Sequence, residues 1–369
     1  MGSSRLNSRD VLDWDESDVR VRPNKRGSRP RTKDRPAHKS AIRDRGRWSV
    51  VVAEGTVNER TLVATRAREL RRTAIVTGDF VDVVGDTSGK KDTLARIVRL
   101  GERSCVLRRS ADDTDPTERV VVANANQLVI VVAAANPQPR TGFIDRAVVA
   151  AYDAGIEPIL CVTKTDIRHP QELLDYYQRS GLRIVLSAAS DGRAPSEEGA
   201  EGLTTGPVRE LLGDLLGNVS VLLGHSGVGK STLVNALTGA ERATGHVNSV
   251  TGRGRHTSSS ALALQPASDA GVEVPPGTWI IDTPGIRSFG LAHVSMQKVV
   301  EAFPDLAPVA VECPRGCAHT DDSSGCGITA YVARGEAGPS GADRLASMRK
   351  LLAAPNQAGN DEKELGSLT

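Results

Sequence analysis

A chain of 369 residues has room for two or three domains, and 39 % hydrophobic residues are enough to bury a core in each. Its longest apolar stretch, around residues 127–135, is too short and too interrupted to span a bilayer, and no signal-peptide pattern opens the chain, so a cytoplasmic protein with no membrane partner is expected. The formal net charge of +2 hides a basic segment, because residues 20–47 carry twelve Lys or Arg against only Asp34 and Asp44, while aromatics at 3 % argue against reading nucleic acid mainly by stacking bases on rings.

Residues 1–47 are rich in Arg, Ser, Pro and Asp with almost no apolar periodicity, and are expected to form a disordered basic tail. That tail either grips an RNA backbone or is a solvated extension. From Trp48 the pattern changes to short β-type runs at residues 48–53, 60–64, 74–76, 80–84 and 94–100, separated by turn signals such as Thr77-Gly78-Asp79. Five short strands predict a small barrel over residues 48–109, either of the oligonucleotide-binding (OB) type or another small β-barrel with a structural role. Residues 110–118, acidic and broken by proline, read as a linker. From residue 119 to 292 apolar strand runs alternate with helical spacing: 119–135, a helix over 144–154, 158–162, 183–186, 219–223 and 279–282. Alternation of this kind describes a parallel α/β sheet, whose ligands sit outside the carboxyl ends of the strands. Residues 293–352 read as a small helical module, with helices over 294–302 and 344–352, and residues 353–369 as a loose tail.

The strongest motif is Gly224-His225-Ser226-Gly227-Val228-Gly229-Lys230-Ser231-Thr232, which follows the apolar run 219–223 and precedes Leu233-Val234-Asn235. A strand, a glycine loop and a helix in that order make a phosphate cradle: backbone N–H groups close on a polyphosphate, Lys230 reaches its outer phosphates, and the Ser231 hydroxyl is placed for Mg²⁺. Two strand-end motifs come earlier in the chain. In Thr163-Lys164-Thr165-Asp166 the Asp166 carboxylate can accept hydrogen bonds from N1–H and the exocyclic amine of guanine, a pattern adenine cannot offer, while Lys164 lies along the ring. The structural alternative is a helix start capped by Thr163 or Asp166. Ser187-Ala188-Ala189 would supply a backbone N–H to guanine O6. Downstream, Asp282-Thr283-Pro284-Gly285 ends an apolar strand, with Asp282 directing Mg²⁺ through water and the Gly285 N–H meeting a γ-phosphate. The polar segment 251–260 suits a mobile switch, in which Thr257 completes the Mg²⁺ shell.

Five cysteines, three of them within fourteen residues, fit metal ligation better than a disulfide framework. Cys313, Cys317, His319 and Cys326 offer three thiolates and an imidazole, a closed tetrahedral set for one structural Zn²⁺. Zinc binding worth roughly 10–16 kcal/mol in finger peptides can fix a loop region that has little core of its own.

These motifs together resemble the five guanine-nucleotide motifs of translational GTPases, with the base-reading pair placed ahead of the phosphate loop as in a circular permutation. With a β-barrel before them and a Cys/His cluster after, the chain is similar, over roughly residues 48–352, to the bacterial ribosome small-subunit-dependent GTPase A family. The resemblance implies a multidomain fold: an N-terminal OB-type barrel, a central permuted α/β GTPase domain and a C-terminal helical zinc domain. It further implies a monomer that binds the small ribosomal subunit and its rRNA during late maturation and hydrolyses GTP to GDP, stimulated by that subunit. Three departures stand out. Thr163 replaces the usual Asn and keeps a side-chain oxygen without the amide; the gaps around the metal ligands are each shifted by one; and Ile286 stands where Ras-like enzymes carry a water-orienting glutamine. Hydrolysis should then depend on a group from the switch or a partner, and supplied groups are worth roughly 10³–10⁵ in rate. His256 is the candidate within the chain, acting with Lys230 and Thr257. The permutation also puts the Asp282 loop just before the zinc module, a short covalent route for a switch. Two other readings stay open from the residues: an RNA-binding scaffold that binds GTP with negligible turnover, and a metal-delivery GTPase.

Overall fold

A computed structural model describes residues 46–70, 73–109, 119–188, 207–239, 261–267, 272–283, 291 and 293–365. The described chain divides into two compact units, one of residues 46–73 and 80–101, the other of residues 74–79 and those from 102 onward.

The first unit is a four-stranded mixed sheet in the order β1-β2-β4-β3, made of β1 (Arg47–Val52), β2 (Arg60–Arg66), β3 (Val81–Gly85) and β4 (Ala95–Leu100). Outer pairs are antiparallel and the central β2/β4 pair is parallel. Alternation decides the faces: Leu62 and Ala64 are buried with Trp48, Val50 and Ile97, while Thr61 and Val63, which alternate with them along β2, are exposed. The expected strand at 74–76 is absent. There the Val76 N–H is donated to Asp79 Oδ2 at 2.7 Å, and Arg103 holds both carboxylate oxygens of Asp79, so a local side-chain bond takes the place of a ladder. These residues belong to the second unit, where Thr77 bridges Val122.

In the second unit β5 (Val106–Arg109) pairs with β6 (Arg119–Ala123), which draws residues 102–109 away from the barrel domain to which the sequence assigns them. A six-stranded sheet follows in the order β11-β12-β10-β7-β8-β9, built from β7 (Gln127–Ala133), β8 (Glu157–Thr163), β9 (Arg183–Leu186), β10 (Val219–Leu223), β11 (Leu262–Leu264) and β12 (Trp279–Asp282). All neighbours are parallel except the edge strand β11. Every residue of β7 is buried, as a central parallel strand requires. Helices α1 (Thr141–Asp153), α2 (Gln171–Tyr177), α3 (Pro207–Leu215) and α4 (Lys230–Thr238) connect the strands, and Leu211, Leu222, Leu233 and Ile280 share one core.

The same unit continues through α5 (Met296–Glu301), a 3-10 turn (Ala307–Glu312), α6 (Gly327–Ala333) and α7 (Gly341–Leu365). Helix α7 extends well past Leu352, so residues 353–365 continue a helix where a loose tail is expected. Its buried Arg344 donates to both carboxylate oxygens of Asp305 at 2.9 and 2.8 Å and to Asp145 Oδ1 of α1 at 3.0 Å. Asp145 also accepts from Tyr176, Tyr177 and Ser347, which with Arg344 makes four donors for the four lone-pair sites of a carboxylate. Burial pushes the Asp145 pKa up, against the opposing pull of Arg344 and the three hydroxyls. No helix among the described residues is long and apolar enough to cross a membrane.

Candidate nucleotide and metal sites

Parallel strands place their carboxyl ends along one edge of the sheet, so the loops after β7, β8, β9, β10 and β12 open on the same side. The phosphate loop leaves β10 there. Gly224 is compelled by packing, because a Cβ at that position would lie 2.6 Å from the Val131 carbonyl oxygen of β7. Gly227 and Gly229 have φ of +83° and +88°, the left-handed backbone that turns successive N–H groups inward ahead of α4. Val228 between them is buried in the core, Ser226 is exposed, and Ser231 and Thr232 are half-buried on the first turn of α4. His225 packs its ring on Phe143 of α1, with centroids 4.2 Å apart.

The Lys230 ammonium pairs with the Asp282 carboxylate and donates to the Thr283 carbonyl at 2.6 Å. Thr283, fully buried, donates its hydroxyl to Leu222 O at 2.7 Å and so ties the end of β12 to β10. A cation for phosphates and a carboxylate suited to direct a divalent ion therefore meet at the head of α4. Ser231 stands next to them in sequence, so the residues present fit a Mg²⁺-nucleotide.

The expected base reader meets the same loop from β8. Thr163 is fully buried, and its hydroxyl is 2.5 Å from Val228 O, with Val132 O as a second acceptor at 3.2 Å. Lys164, at φ +57°, donates from Nζ to Gly227 O at 2.9 Å and to Asn136 O at 2.7 Å. Both side chains thus grip the backbone of the phosphate loop, and Asp166 stands exposed two residues further on. Ser187 is buried and its N–H is donated to Val162 O at 2.7 Å, which leaves Ala188, exposed, as the residue of that pair facing outward. Asn136 was invisible in the sequence because it acts through a carbonyl, and Phe143 because a lone aromatic on a helix carries no signal. Thr257, His256 and Gly285 lie outside the described residues, as do Ala189 and Ile286.

Cys313, Cys317, His319 and Cys326 come together as expected, their ligand atoms all within 4.8 Å of one another. A tetrahedral zinc ion with ordinary bond lengths spaces its ligands by about 3.8 Å for S···S and about 3.6 Å for S···N. Cys313 and Cys326 Sγ are 3.9 Å apart, and they lie 3.6 and 3.7 Å from His319 Nδ1. Three of the four ligand atoms thus hold the spacing of a tetrahedral ion, and Cys317 lies within 4.8 Å of them. Burial alone would raise the Cys326 thiol, but hydrogen bonds from Thr329, His319 and Cys317 bring it down to about 6. Cys313 is pushed up by burial and by Cys326, against N–H donors that include Gly327 at 3.2 Å. Arg349 of α7 clamps the loop by donating to His319 O at 2.9 Å and Thr329 Oγ1 at 2.8 Å.

The sequence model of the RsgA GTPase family matches residues 100–292. A protein of Pseudomonas aeruginosa (strain LESB58) called small ribosomal subunit biogenesis GTPase RsgA is 35 % identical over 289 residues, covering 76 % of each chain. One of the same name from Chlorobaculum parvum is 32 % identical over 302 residues, covering 79 % of this chain and 89 % of the relative. Among solved structures, YjeQ from Thermotoga maritima is 21 % identical and superposes with a TM-score of 0.58, covering 87 % of this chain and 99 % of that one. YloQ, described as a circularly permuted GTPase, is 20 % identical with a TM-score of 0.57, covering 86 % and 95 %. The fold is that of the circularly permuted YjeQ-type GTPases, and the chain belongs to the RsgA GTPase family.

Proposed function

We propose that this chain is a GTP hydrolase that acts on the small ribosomal subunit during its late maturation, in the cytoplasm and as a monomer. One observation carries the reading: the base-reading loop and the phosphate loop are tied through Thr163 to Val228 and Lys164 to Gly227, so base and phosphate recognition form one site. Relatives named for small-subunit biogenesis supply the partner. Asp166 accepts from guanine N1–H and the exocyclic amine, and the Ala188 N–H serves O6, since that of Ser187 is already given to β8. The amides of the loop from Gly224 to Thr232 line the phosphates, and Lys230 moves from Asp282 to the outer phosphates. Ser231 and Thr257 hold Mg²⁺, with Asp282 acting through water and Gly285 at the γ-phosphate. When bound, Mg²⁺ supplies charge neutralisation between phosphate oxygens. His256 or a group of the subunit orients the attacking water. The four ligands from Cys313 to Cys326 hold one structural Zn²⁺, and the first unit acts as an OB-type barrel on rRNA.

Comparing GTP with ATP hydrolysis, with and without purified small subunits, tests this. Slow GTP-selective turnover that rises by at least about 10³ on adding subunits is expected. Equal use of ATP would overturn the base assignment, and turnover indifferent to subunits would leave only the scaffold reading.

A further inference from the structure

Helix α1 carries two side chains that no nucleotide motif requires. Phe143, buried, packs its ring against His225 of the phosphate loop at a tilt of 46°. Two positions later, Asp145 takes an N–H from Arg344 of α7, and Arg344 is itself locked onto Asp305. Five residues further along α7, Arg349 donates to the carbonyl of the metal ligand His319 and pairs with Asp321 beside it. From His225 to His319 every link is therefore a ring contact, a charged hydrogen bond or a helix.

We propose that α1 and α7 form a positioning linkage through which the phosphate loop and the Cys/His metal loop set each other's order, with Phe143 and Arg349 at its two ends. The inference rests on the reading that the phosphate loop binds guanine nucleotide. Its physical basis is stiffness. A carboxylate with all four acceptor sites filled has one geometry, and a guanidinium bidentate on Asp305 cannot slide, so α1 and α7 move as one body. A nucleotide that fixes the backbone around His225 fixes the surface on which Phe143 rests. The restraint then reaches Arg349 and the carbonyls of the metal loop. Coupling of this kind is reciprocal, so loosening the metal loop must weaken nucleotide binding by the same factor.

The test uses the full-length, zinc-loaded protein and GDP. Amide hydrogen exchange over residues 319–326 is measured with and without saturating GDP, while GDP affinity and zinc content are measured on the same samples. In the wild type GDP slows exchange across 319–326 about five-fold or more. In Phe143→Leu, which stays apolar and loses the ring, that response disappears although GDP and one zinc per chain are retained. From the other end, Arg349→Met weakens GDP binding about five-fold or more with zinc still bound, and keeps the proposal testable should the Phe143 variant fold poorly. A merely structural role would shift exchange equally with and without GDP. GDP binding to the wild type with no response at 319–326, or an unchanged response in Phe143→Leu, overturns the linkage alone. Failure of the wild type to bind GDP overturns the nucleotide reading and the linkage with it.

Discussion

At the scale of single residues, Thr163 explains how a loop can lack the family's Asn and keep its architecture. What the phosphate loop needs at Val228 is a hydrogen-bond donor to a buried carbonyl, and a hydroxyl supplies one as well as an amide does. Thr163→Val keeps the shape and removes the donor, which leaves buried acceptors unsatisfied at a cost of about 1–3 kcal/mol. GDP affinity should fall about ten-fold with guanine-over-adenine preference unchanged, because the proposed base reader Asp166 is untouched, whereas Thr163→Ser should stay near wild type. Titrations with GDP and ADP decide it, and a collapse of base preference in Thr163→Val would sink the assignment. Gly224 makes a different point. The spacing of the motif marks it as a phosphate residue, yet its Cβ is forbidden by Val131 O. Gly224→Ala overpacks β10 against β7 and should lower the melting temperature by about 3–10 °C, while Gly142→Ala, with open space on α1, should be neutral or slightly stabilising. Residue types and spacing made the meeting of Lys230 with Asp282 and the clustering of Cys313, Cys317, His319 and Cys326 readable. Asn136 was not, nor was the acceptor role of the Val228 carbonyl, since a carbonyl contributes nothing to residue identity.

At the scale of elements, the loop that carries the Cys/His cluster runs between the 3-10 turn and α6. Cys326 is the residue just before α6, and Gly327 donates to Cys313 Sγ, so the start of α6 is part of the thiolate shell. Strong chelation should therefore melt residues 313–326 and fray α6, seen as amide exchange rising toward unprotected rates there. The six-stranded sheet, which has its own core around Leu222 and Leu233, should keep its protection. Uniform loss of protection across β7 and β10 would contradict this. Elements were legible where burial and period agreed: β8 and β9 appear within a residue of their expected places because continuous apolar runs leave parallel strands few alternatives. Residues 74–76 look like a strand by composition, and the competing Asp79 bond cannot be read from composition. Edge strand β11 is three residues long and exists by pairing with β12, a nonlocal fact.

At the scale of the whole molecule, the boundary that sequence places at 292/293 is not a boundary in packing. Helices α5 and α7 both lie on α1, and Leu345, Met348, Leu351 and Leu352 of α7 are buried. Amphipathic spacing marks where a helix has an apolar face, but not which neighbour receives it, so a helical module that reads as separate in sequence is the outer layer of the nucleotide-binding unit. The consequence is testable by truncation. A chain ending at residue 292 removes Arg344 and Ser347 together with α5 and α7, which takes the cation from Asp145 and uncovers the face of α1 on which both helices lie. Each apolar side chain uncovered on that face costs about 1.5–3 kcal/mol, so the truncated chain should melt at least about 6 °C below the full chain. Arg344→Met in the full chain separates this from loss of the metal loop, since it leaves Asp145 buried without its cation at a cost of about 3–5 kcal/mol with zinc content unchanged, and should reproduce part of that drop. If the truncated chain and the full chain melted together, the C-terminal module would be a domain of its own, and its helices would only rest on α1.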